Sequence, residues 1–227
     1  MQPYLFPYIG YFQLIKVVDK FILFDDVNYI KKGWINRNRI LVNKEEFMFT
    51  IPVKAMSQNK HINELFLVEE DKWKKKLVKT LEESYKNAPN FESAFSLLNQ
   101  IIYLKEQNLS KYILNSLEQL KEYLGITTEI VPSSSIYGNG ELKAQDRILD
   151  ICRKESADQY FNAIGGMELY SKEEFAKEGI VLKFLRPSKI EYRQFDSNFQ
   201  PLLSIIDSMM FNSQDELSVL LNQFEIL

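Results

Sequence analysis

Apolar residues follow two spacings in the first quarter of the chain. Over residues 9–18 they recur at helical intervals on more than one face, after Pro7, which predicts a buried helix. The continuous apolar run at 21–24 is too short for a helix and predicts a buried strand. Runs at 39–42 and 47–53 flank a polar turn and predict a β-hairpin. This region therefore mixes helix and strand.

The middle of the chain predicts helices alone. Trp73, Leu77, Leu81 and Tyr85 lie four apart among lysines, as on an amphipathic helix whose lysine face is solvated. Two further apolar repeats follow and predict a second and a third helix. We therefore expect a helical subdomain at about residues 70–125.

The rest of the chain alternates between strand and helix patterns. Predicted strands lie at residues 128–131, 159–161 and 180–184, and predicted helices at 143–153, 173–177, 202–211 and 214–224. Such alternation predicts an α/β fold with a mostly parallel sheet covered by helices. We expect one domain over residues 1–227, with ligands at the carboxyl ends of the strands.

The composition narrows the class of protein. The 227 residues are 45% hydrophobic and 26% charged, values typical of a globular protein. A net charge of −3 argues against nucleic acid as a partner, since duplex-binding proteins usually carry a basic excess. The apolar runs are shorter than a membrane span and no cleavable signal is visible, so we expect a cytoplasmic protein. One Cys and one His exclude an internal disulfide and a Cys/His zinc site, and we expect no metal site.

The opening residues are the first candidates for ligand binding. Pro3 and Pro7 fix the backbone there, and Gly10 permits close approach of another backbone or a ligand. A rigid loop leading into a helix N-terminus favours an anion, because free N–H groups point at it. We therefore predict contacts from Gln2, Pro3, Pro7, Gly10 and Tyr11. The competing interpretation is an aromatic segment that only packs.

Two adjacent carboxylates follow the predicted strand at 21–24. Asp25 and Asp26 thus lie at the carboxyl end of that strand, where they can bind a cation or accept hydrogen bonds from an amine or a ribose. They can equally form a turn. Because neighbours on a strand point to opposite faces, we expect only one of the pair to reach a site.

Cations, amides and one Trp alternate over residues 31–39. Arginine makes paired hydrogen bonds to phosphate, and asparagine both donates and accepts, so the segment can grip a nucleotide diphosphate. In an extended segment the asparagines share one face and the arginines the other. A solvated hairpin edge is the competing interpretation. The candidate contacts are Lys32, Trp34, Asn36, Arg37, Asn38 and Arg39.

Four isolated positions complete the candidates. His61 is a catalytic candidate because histidine is the only residue type whose ordinary pKa lies near neutrality, although a surface position is the competing interpretation. Gly165 and Gly166 can approach a ligand closely or simply turn the chain. Ser204 begins a predicted helix, as a ligand contact or only as an N-cap. The sequence contains no GxGxxG, no Walker loop and no HExxH motif.

The chain resembles the WbqC-like family of bacterial proteins over nearly its whole length. The residues that carry the resemblance are 2–12, 19, 21–26, 34–40, 52–53, 125–126, 165–166, 203–207 and 211–212. The resemblance implies a glycine transferase that places a glycyl group on an amino sugar of O-antigen (lipopolysaccharide) or another surface polysaccharide.

The sequence departs from that family at two places. Most relatives carry a short strand before the Gln-Pro pair, whereas here only Met1 precedes Gln2, so we expect either a very short first strand or a misplaced start site. The usual small-residue turn at 162–167 contains the bulky Ile164, which puts the ligand contacts of Gly165 and Gly166 in doubt.

A weaker resemblance concerns the first elements. A proline loop with Gly10-Tyr11, a helix and a strand ending in Asp are similar to the start of class I nucleotidyltransferases, a Rossmannoid fold. That group binds ATP phosphates through a histidine-glycine-histidine signature, and Tyr11 replaces its last histidine here. Use of ATP therefore rests on analogy of fold.

These features lead to one main hypothesis and two alternatives. The main one is an acyl-type transferase that joins glycine, or a similar amino acid, to a nucleotide-linked amino sugar. The donor is activated either by ATP with Mg²⁺ or before it arrives. Asp25 or Asp26 orients or deprotonates the amine, and Arg37 and Arg39 neutralise phosphate. The alternatives are a non-catalytic protein that binds a sugar nucleotide or a partner enzyme, and a nucleotidyltransferase.

Overall fold

Short helices and strands alternate along the chain. The computed structural model describes residues 1–195 and 198–227. Its helices are α1 (Ile9–Lys16), α2 (Lys72–Tyr85), α3 (Phe91–Ile102), α4 (Leu109–Tyr123), α5 (Ala144–Lys154), α6 (Lys172–Lys177), α7 (Ile205–Phe211) and α8 (Gln214–Leu220). Its strands are β1 (Lys20–Ile22), β2 (Arg37–Val42), β3 (Glu45–Thr50), β4 (Glu129–Val131), β5 (Gln159–Ala163), β6 (Val181–Pro187) and β7 (Phe224–Ile226).

The helical predictions are confirmed by burial. Every residue of α1 from Ile9 to Ile15 is buried, as its apolar residues on several faces predict. Leu77, Leu81 and Tyr85 are the buried positions of α2, while most of its lysines are exposed. In the described chain, no helix has both the length and the apolar character that crossing a membrane requires.

The predicted hairpin forms between β2 and β3. The strands pair antiparallel from Arg37 opposite Thr50 to Val42 opposite Glu45. Asn43 and Lys44 make the two-residue turn, with φ of 52° and 66°. Positive φ at both positions is typical of the type I′ turn, whose twist matches that of paired strands.

The strands form three small sheets, so the prediction of one mostly parallel sheet is wrong, whereas the mixed α/β class is confirmed. β1 pairs parallel with β4, β2 with β3 antiparallel, and β5 parallel with β6. The antiparallel strand β7 completes the third sheet by pairing with β6. The predicted helix at 214–224 was too long, because α8 ends at Leu220 and the chain then turns back along β6.

Met1 pairs with β1 for a single residue. Its amine donates to the Ile22 carbonyl at 2.9 Å, and its carbonyl accepts from the Phe24 amide at 2.7 Å. Burial lowers the pKa of this amine to about 5. Beside Met1, residues of β1 and β5 line a cavity of about 430 Å³. The two parallel pairs therefore lie on either side of open space and form separate sheets.

One large apolar cluster connects distant parts of the chain. Leu5 before α1, Leu81 of α2, Leu117 of α4 and Ile206 of α7 all belong to it and are fully buried. A smaller cluster, which includes Leu149, packs α5 and α6 against β6. The helical middle segment thus shares its core with the rest of the described chain.

Candidate functional site

The carboxyl ends of β1 and β4 lie side by side. Beyond the strands, the Leu23 amide donates to the Val131 carbonyl at 3.0 Å, and the Ser134 amide donates to the Leu23 carbonyl at 2.9 Å. These bonds keep the two segments together past the ends of the strands. They place Asp25, which follows β1, next to Ser133, which follows β4. Ligand sites of α/β proteins lie at this end of parallel strands.

Asp25 is 2% exposed and is held by two hydroxyl groups. Ser110, in the first turn of α4, donates to its Oδ2 at 2.6 Å, and Ser133 donates to its Oδ1 at 2.6 Å. Each carboxylate oxygen can accept a second hydrogen bond. Asp25 and these serines also line a cleft.

The cleft beside Asp25, called the Asp25 cleft below, has a volume of about 510 Å³. Among the residues that the structure describes, its wall contains no aromatic side chain, and its charged groups are two carboxylates and one ammonium group. Such a wall suits a ligand that carries an amine and hydroxyl groups better than one that carries a planar base. Besides Asp25 and its serines, the polar wall consists of Asn63, Glu106, Asn108, Lys111, Asn115 and Ser135.

Hydrogen bonds to the backbone fix the rim of the Asp25 cleft. Asn108 caps α4 by accepting from the Lys111 amide at 3.1 Å, and its Nδ2 donates to the Asn63 carbonyl at 2.7 Å. Glu106 accepts from the Asn108 amide at 2.7 Å. These side chains are therefore held in place before any ligand arrives.

Asp26 has different partners from Asp25. Its Oδ2 lies 2.5 Å from Nη2 of Arg147, a buried residue of α5, and Ser134 donates to its Oδ1. The Arg147 guanidinium also lies 4.6 Å from the centre of the Phe24 ring and donates to Asn139 at 3.0 Å. Asp26 is therefore ion-paired at the junction of α5 and β1, while Asp25 is the member of the pair that lines the cleft.

His61 lies near the cleft in sequence but not in its wall. It is exposed and precedes the short 3₁₀ helix Ile62–Glu64, where its amide donates to the Glu64 carboxylate at 2.7 Å and its carbonyl accepts from the Glu64 amide at 3.2 Å. The next residue but one, Asn63, does line the cleft. A catalytic role for His61 stays a prediction.

The opening residues are packed into the core. Tyr11 is 2% exposed and donates to the Gln2 carbonyl at 2.8 Å, and Pro3 is buried as well. The Pro7 carbonyl accepts from the Ile205 amide at 2.9 Å. A Cβ on Gly10 would come within 2.3 Å of the Tyr8 ring, so glycine makes room for that ring. These contacts join the N-terminus to α7, and anion binding there stays a prediction.

Residues 36–39 alternate between two faces, as the extended pattern predicts. Asn36 accepts from Tyr29 at 2.7 Å and donates to the Ile51 carbonyl at 2.8 Å. Asn38 donates to the carbonyls of Leu5 and Phe6. Both asparagines are buried and satisfy backbone groups. The arginines between and after them are on the other, partly exposed face.

Trp34, Arg37 and Arg39 meet on that exposed face, and the exposed Lys31 and Lys32 precede them in the chain. These five residues are called the Trp34 face below. The guanidinium carbons of Arg37 and Arg39 lie 6.0 and 5.2 Å from the Trp34 ring centre. Such distances are typical of cation–π contacts. None of the five residues lines the Asp25 cleft.

The last three predicted residues lie elsewhere. Gly165 and Gly166 are in the 3₁₀ helix Ile164–Leu169, where a Cβ on Gly166 would lie 3.1 Å from the Asn162 side chain. Ser204 is the N-cap of α7: it accepts from the Ile206 amide at 3.3 Å and donates to the Phe6 carbonyl at 2.7 Å. Ligand contacts at these positions stay predictions.

The sequence did not lead us to predict the partners of Asp25 and Asp26. The three serines at 133–135 follow the predicted strand at 128–131 after a single residue, Pro132, and that position was an available signal. Ser110 and Arg147 lie 85 and 121 residues from their partners and have no local signal. Within residues 1–195 and 198–227, no group of three or more His, Cys, Asp or Glu side chains could hold a metal ion.

A second buried carboxylate was also missed. Asp207 of α7 accepts from Tyr85 at 2.9 Å, from Tyr192 at 2.7 Å and from Gln194 at 2.6 Å. Burial raises its pKa to about 6, even though the three donors favour the ionised form. Tyr85 also accepts from the Leu41 amide at 2.8 Å, so the cluster connects α2, α7 and β2.

Comparison with known proteins agrees with the resemblance seen in the sequence. The WbqC-like protein family matches residues 2–219. The uncharacterized protein Rv1507c of Mycobacterium tuberculosis (strain ATCC 25618 / H37Rv) is 32% identical over 210 residues, which cover 91% of this chain and 89% of the relative. No solved structure matches the chain significantly. The chain belongs to the WbqC-like protein family.

Proposed function

We propose that the protein is an acyl-type transferase that joins glycine, or a similar amino acid, to the amine of a nucleotide-linked amino sugar during synthesis of a surface polysaccharide. The resemblance to the WbqC-like family supports this class of reaction. The observation that carries the proposal is Asp25, a buried carboxylate in the wall of a polar cleft at the carboxyl ends of two parallel strands.

Asp25 acts on the acceptor amine. An ammonium group cannot attack a carbonyl until it loses a proton, and a carboxylate within hydrogen-bond reach can orient the amine and take that proton. The hydroxyls of Ser110 and Ser133 fix the orientation of the carboxylate and leave one acceptor position on each oxygen. Asp26 is paired with Arg147, so Asp25 is the one available to the amine.

The donor carboxyl group has to be activated, because amide formation from a free carboxylate in water is uphill. In one route the carboxylate attacks the α-phosphate of ATP, pyrophosphate leaves, and the amine then attacks the acyl adenylate and releases AMP. In the other route glycine arrives already activated. Mg²⁺ would accompany ATP, since it binds largely through phosphate oxygens and water.

The test is mass spectrometry of products from a panel of nucleotide-linked amino sugars with glycine, ATP and Mg²⁺, and with ATP omitted in parallel. We expect a glycyl mass increment on one sugar. In Asp25→Asn the rate falls about a hundredfold, a typical loss for a general base. Asp146→Asn removes an exposed carboxylate on α5 and is the matched control. Full activity of Asp25→Asn would exclude the assigned role.

A non-catalytic binding protein is the second candidate. It is favoured by the wall of the Asp25 cleft, where the described residues include serines but neither a histidine nor a cysteine to form a nucleophile–base pair. Such a protein would be stabilised against heat by a nucleotide-linked amino sugar while no product formed. Release of pyrophosphate from a sugar phosphate and a nucleoside triphosphate would instead indicate a nucleotidyltransferase.

A further inference from the structure

The Trp34 face concentrates positive charge in a chain whose net charge is −3. Residues 31–39 contain four cations and no carboxylate. Lys31 and Lys32 are exposed, and Trp34 is 37% exposed. Local positive potential combined with an accessible aromatic ring is the arrangement that attracts an anion with a planar group.

Backbone carbonyls hold Arg37 in place. Its Nε donates to the Gly33 carbonyl at 3.0 Å and its Nη2 donates to the Lys32 carbonyl. Arginine has five N–H groups, so these bonds use two of them. A guanidinium held by the turn that precedes its strand loses little side-chain entropy when it binds a ligand.

Arg39 is held in a similar way on the same face of β2. It pairs with Glu46 at 2.9 Å and donates to the Leu202 carbonyl at 3.1 Å. Its Nε is buried and, among the residues that the structure describes, has no hydrogen-bond partner. The bonds to Glu46 and Leu202 use two of the five N–H groups of Arg39.

We propose that the Trp34 face binds the diphosphate of a nucleoside diphosphate, with Arg37 and Arg39 on the phosphate oxygens and Trp34 beside the base. Among the described residues, the wall of the Asp25 cleft has no aromatic side chain and more carboxylates than cations, so the cleft suits neither the diphosphate nor the base. This assignment deepens the proposed function, since a nucleotide-linked sugar carries the same diphosphate. Its test measures binding alone and needs no transfer.

Tryptophan fluorescence reports on the face directly. The chain has two tryptophans, and Trp73→Phe leaves Trp34 as the only one. We expect UDP to change the fluorescence of this variant in a saturable manner. When Arg37→Ala is introduced into this variant, the Kd for UDP should rise about tenfold or more, which is the effect of losing one charge-assisted hydrogen bond. No saturable change with UDP would overturn the proposal.

Variants of exposed residues keep the test independent of folding. Lys31→Gln with Lys32→Gln alters only exposed side chains and should weaken UDP binding and reduce its salt dependence. Lys75→Gln with Lys76→Gln removes the same charge from the exposed face of α2 and should leave Kd unchanged. Equal weakening by both pairs would contradict a local site, because it would show a response to net charge alone.

Comparing the binding of UDP, pyrophosphate and uridine distinguishes contacts to the phosphates from contacts to the base. If pyrophosphate binds as tightly as UDP, the phosphate contacts are supported and the contact of Trp34 with the base is contradicted. If UDP binds more tightly than pyrophosphate, both contacts are supported. Uridine that binds as tightly as UDP rules out the diphosphate assignment. Saturable UDP binding without any glycyl product would support the Trp34 face and contradict the transferase. Glycyl transfer without UDP binding would support the transferase and contradict the Trp34 face.

Discussion

Asp25 and Asp207 are both buried aspartates with similar partners and different surroundings. Each is at most 2% exposed and accepts hydrogen bonds from side chains on separate segments. Asp25 lies beside a cleft of about 510 Å³, whereas Asp207 is enclosed by Tyr85, Tyr192 and Gln194. Burial and hydrogen bonding therefore do not by themselves mark a functional site. The adjoining cleft distinguishes Asp25 from Asp207.

Replacing each aspartate by alanine should show the largest difference between Asp25 and Asp207, which is a difference in the free energy of unfolding. Asp207→Ala leaves three buried donors without this acceptor and should lower the free energy of unfolding by about 4 kcal/mol. Asp25→Ala should cost only about 1 kcal/mol, because water in the cleft can replace the carboxylate as partner of Ser110 and Ser133. Urea unfolding measures both values. If Asp25→Ala proved the more destabilising, our separation of the two roles would be wrong.

Asp26 provides a third case, since it adjoins Asp25 in sequence but is ion-paired with Arg147. Arg147→Ala leaves its carboxylate largely buried without the cation and should cost about 3 kcal/mol. Arg153, also on α5, is the control: its side chain is 54% exposed and lies 3.7 Å from Glu178. Its replacement by Ala should cost less than about 0.5 kcal/mol. Equal losses in urea unfolding would show that helix α5, not the buried pair, determines the effect.

Local patterns were sufficient for most helices and strands and, in the Asp25 cleft, for Asp25 itself. Helical spacing located α1, α2 and α4, and the apolar run at 21–24 placed Asp25 at the carboxyl end of β1. The alternation on β2 correctly separated the asparagines from the arginines. These features depend on residues within a few positions of one another, which is the range over which periodicity carries information.

The remainder depends on contacts between distant residues. Asp25 meets Ser133 across 108 residues, and Asp207 meets Tyr85 across 122. Nothing in the spacing around Tyr85 distinguishes a core aromatic from one whose hydroxyl binds a carboxylate. The division into three sheets also escaped prediction, because alternation of strands and helices does not specify which strands pair.

The pH dependence of stability tests the enclosure of Asp207 through a smaller expected effect than the substitutions above. The native pKa of Asp207, about 6, lies above the ordinary value of 3.8, so the folded protein binds this proton more tightly than the unfolded chain does. Its contribution is therefore complete below about pH 4 and is lost as the pH rises through about 6, by roughly 2–3 kcal/mol in all. Asp207→Asn cannot ionise, so the stability difference between this variant and the parent should shift across that window. Chemical unfolding at several pH values measures the shift. A difference that stayed constant between pH 4 and 7 would contradict the raised pKa of Asp207, because it would mean that the three donors offset the cost of burying the charge.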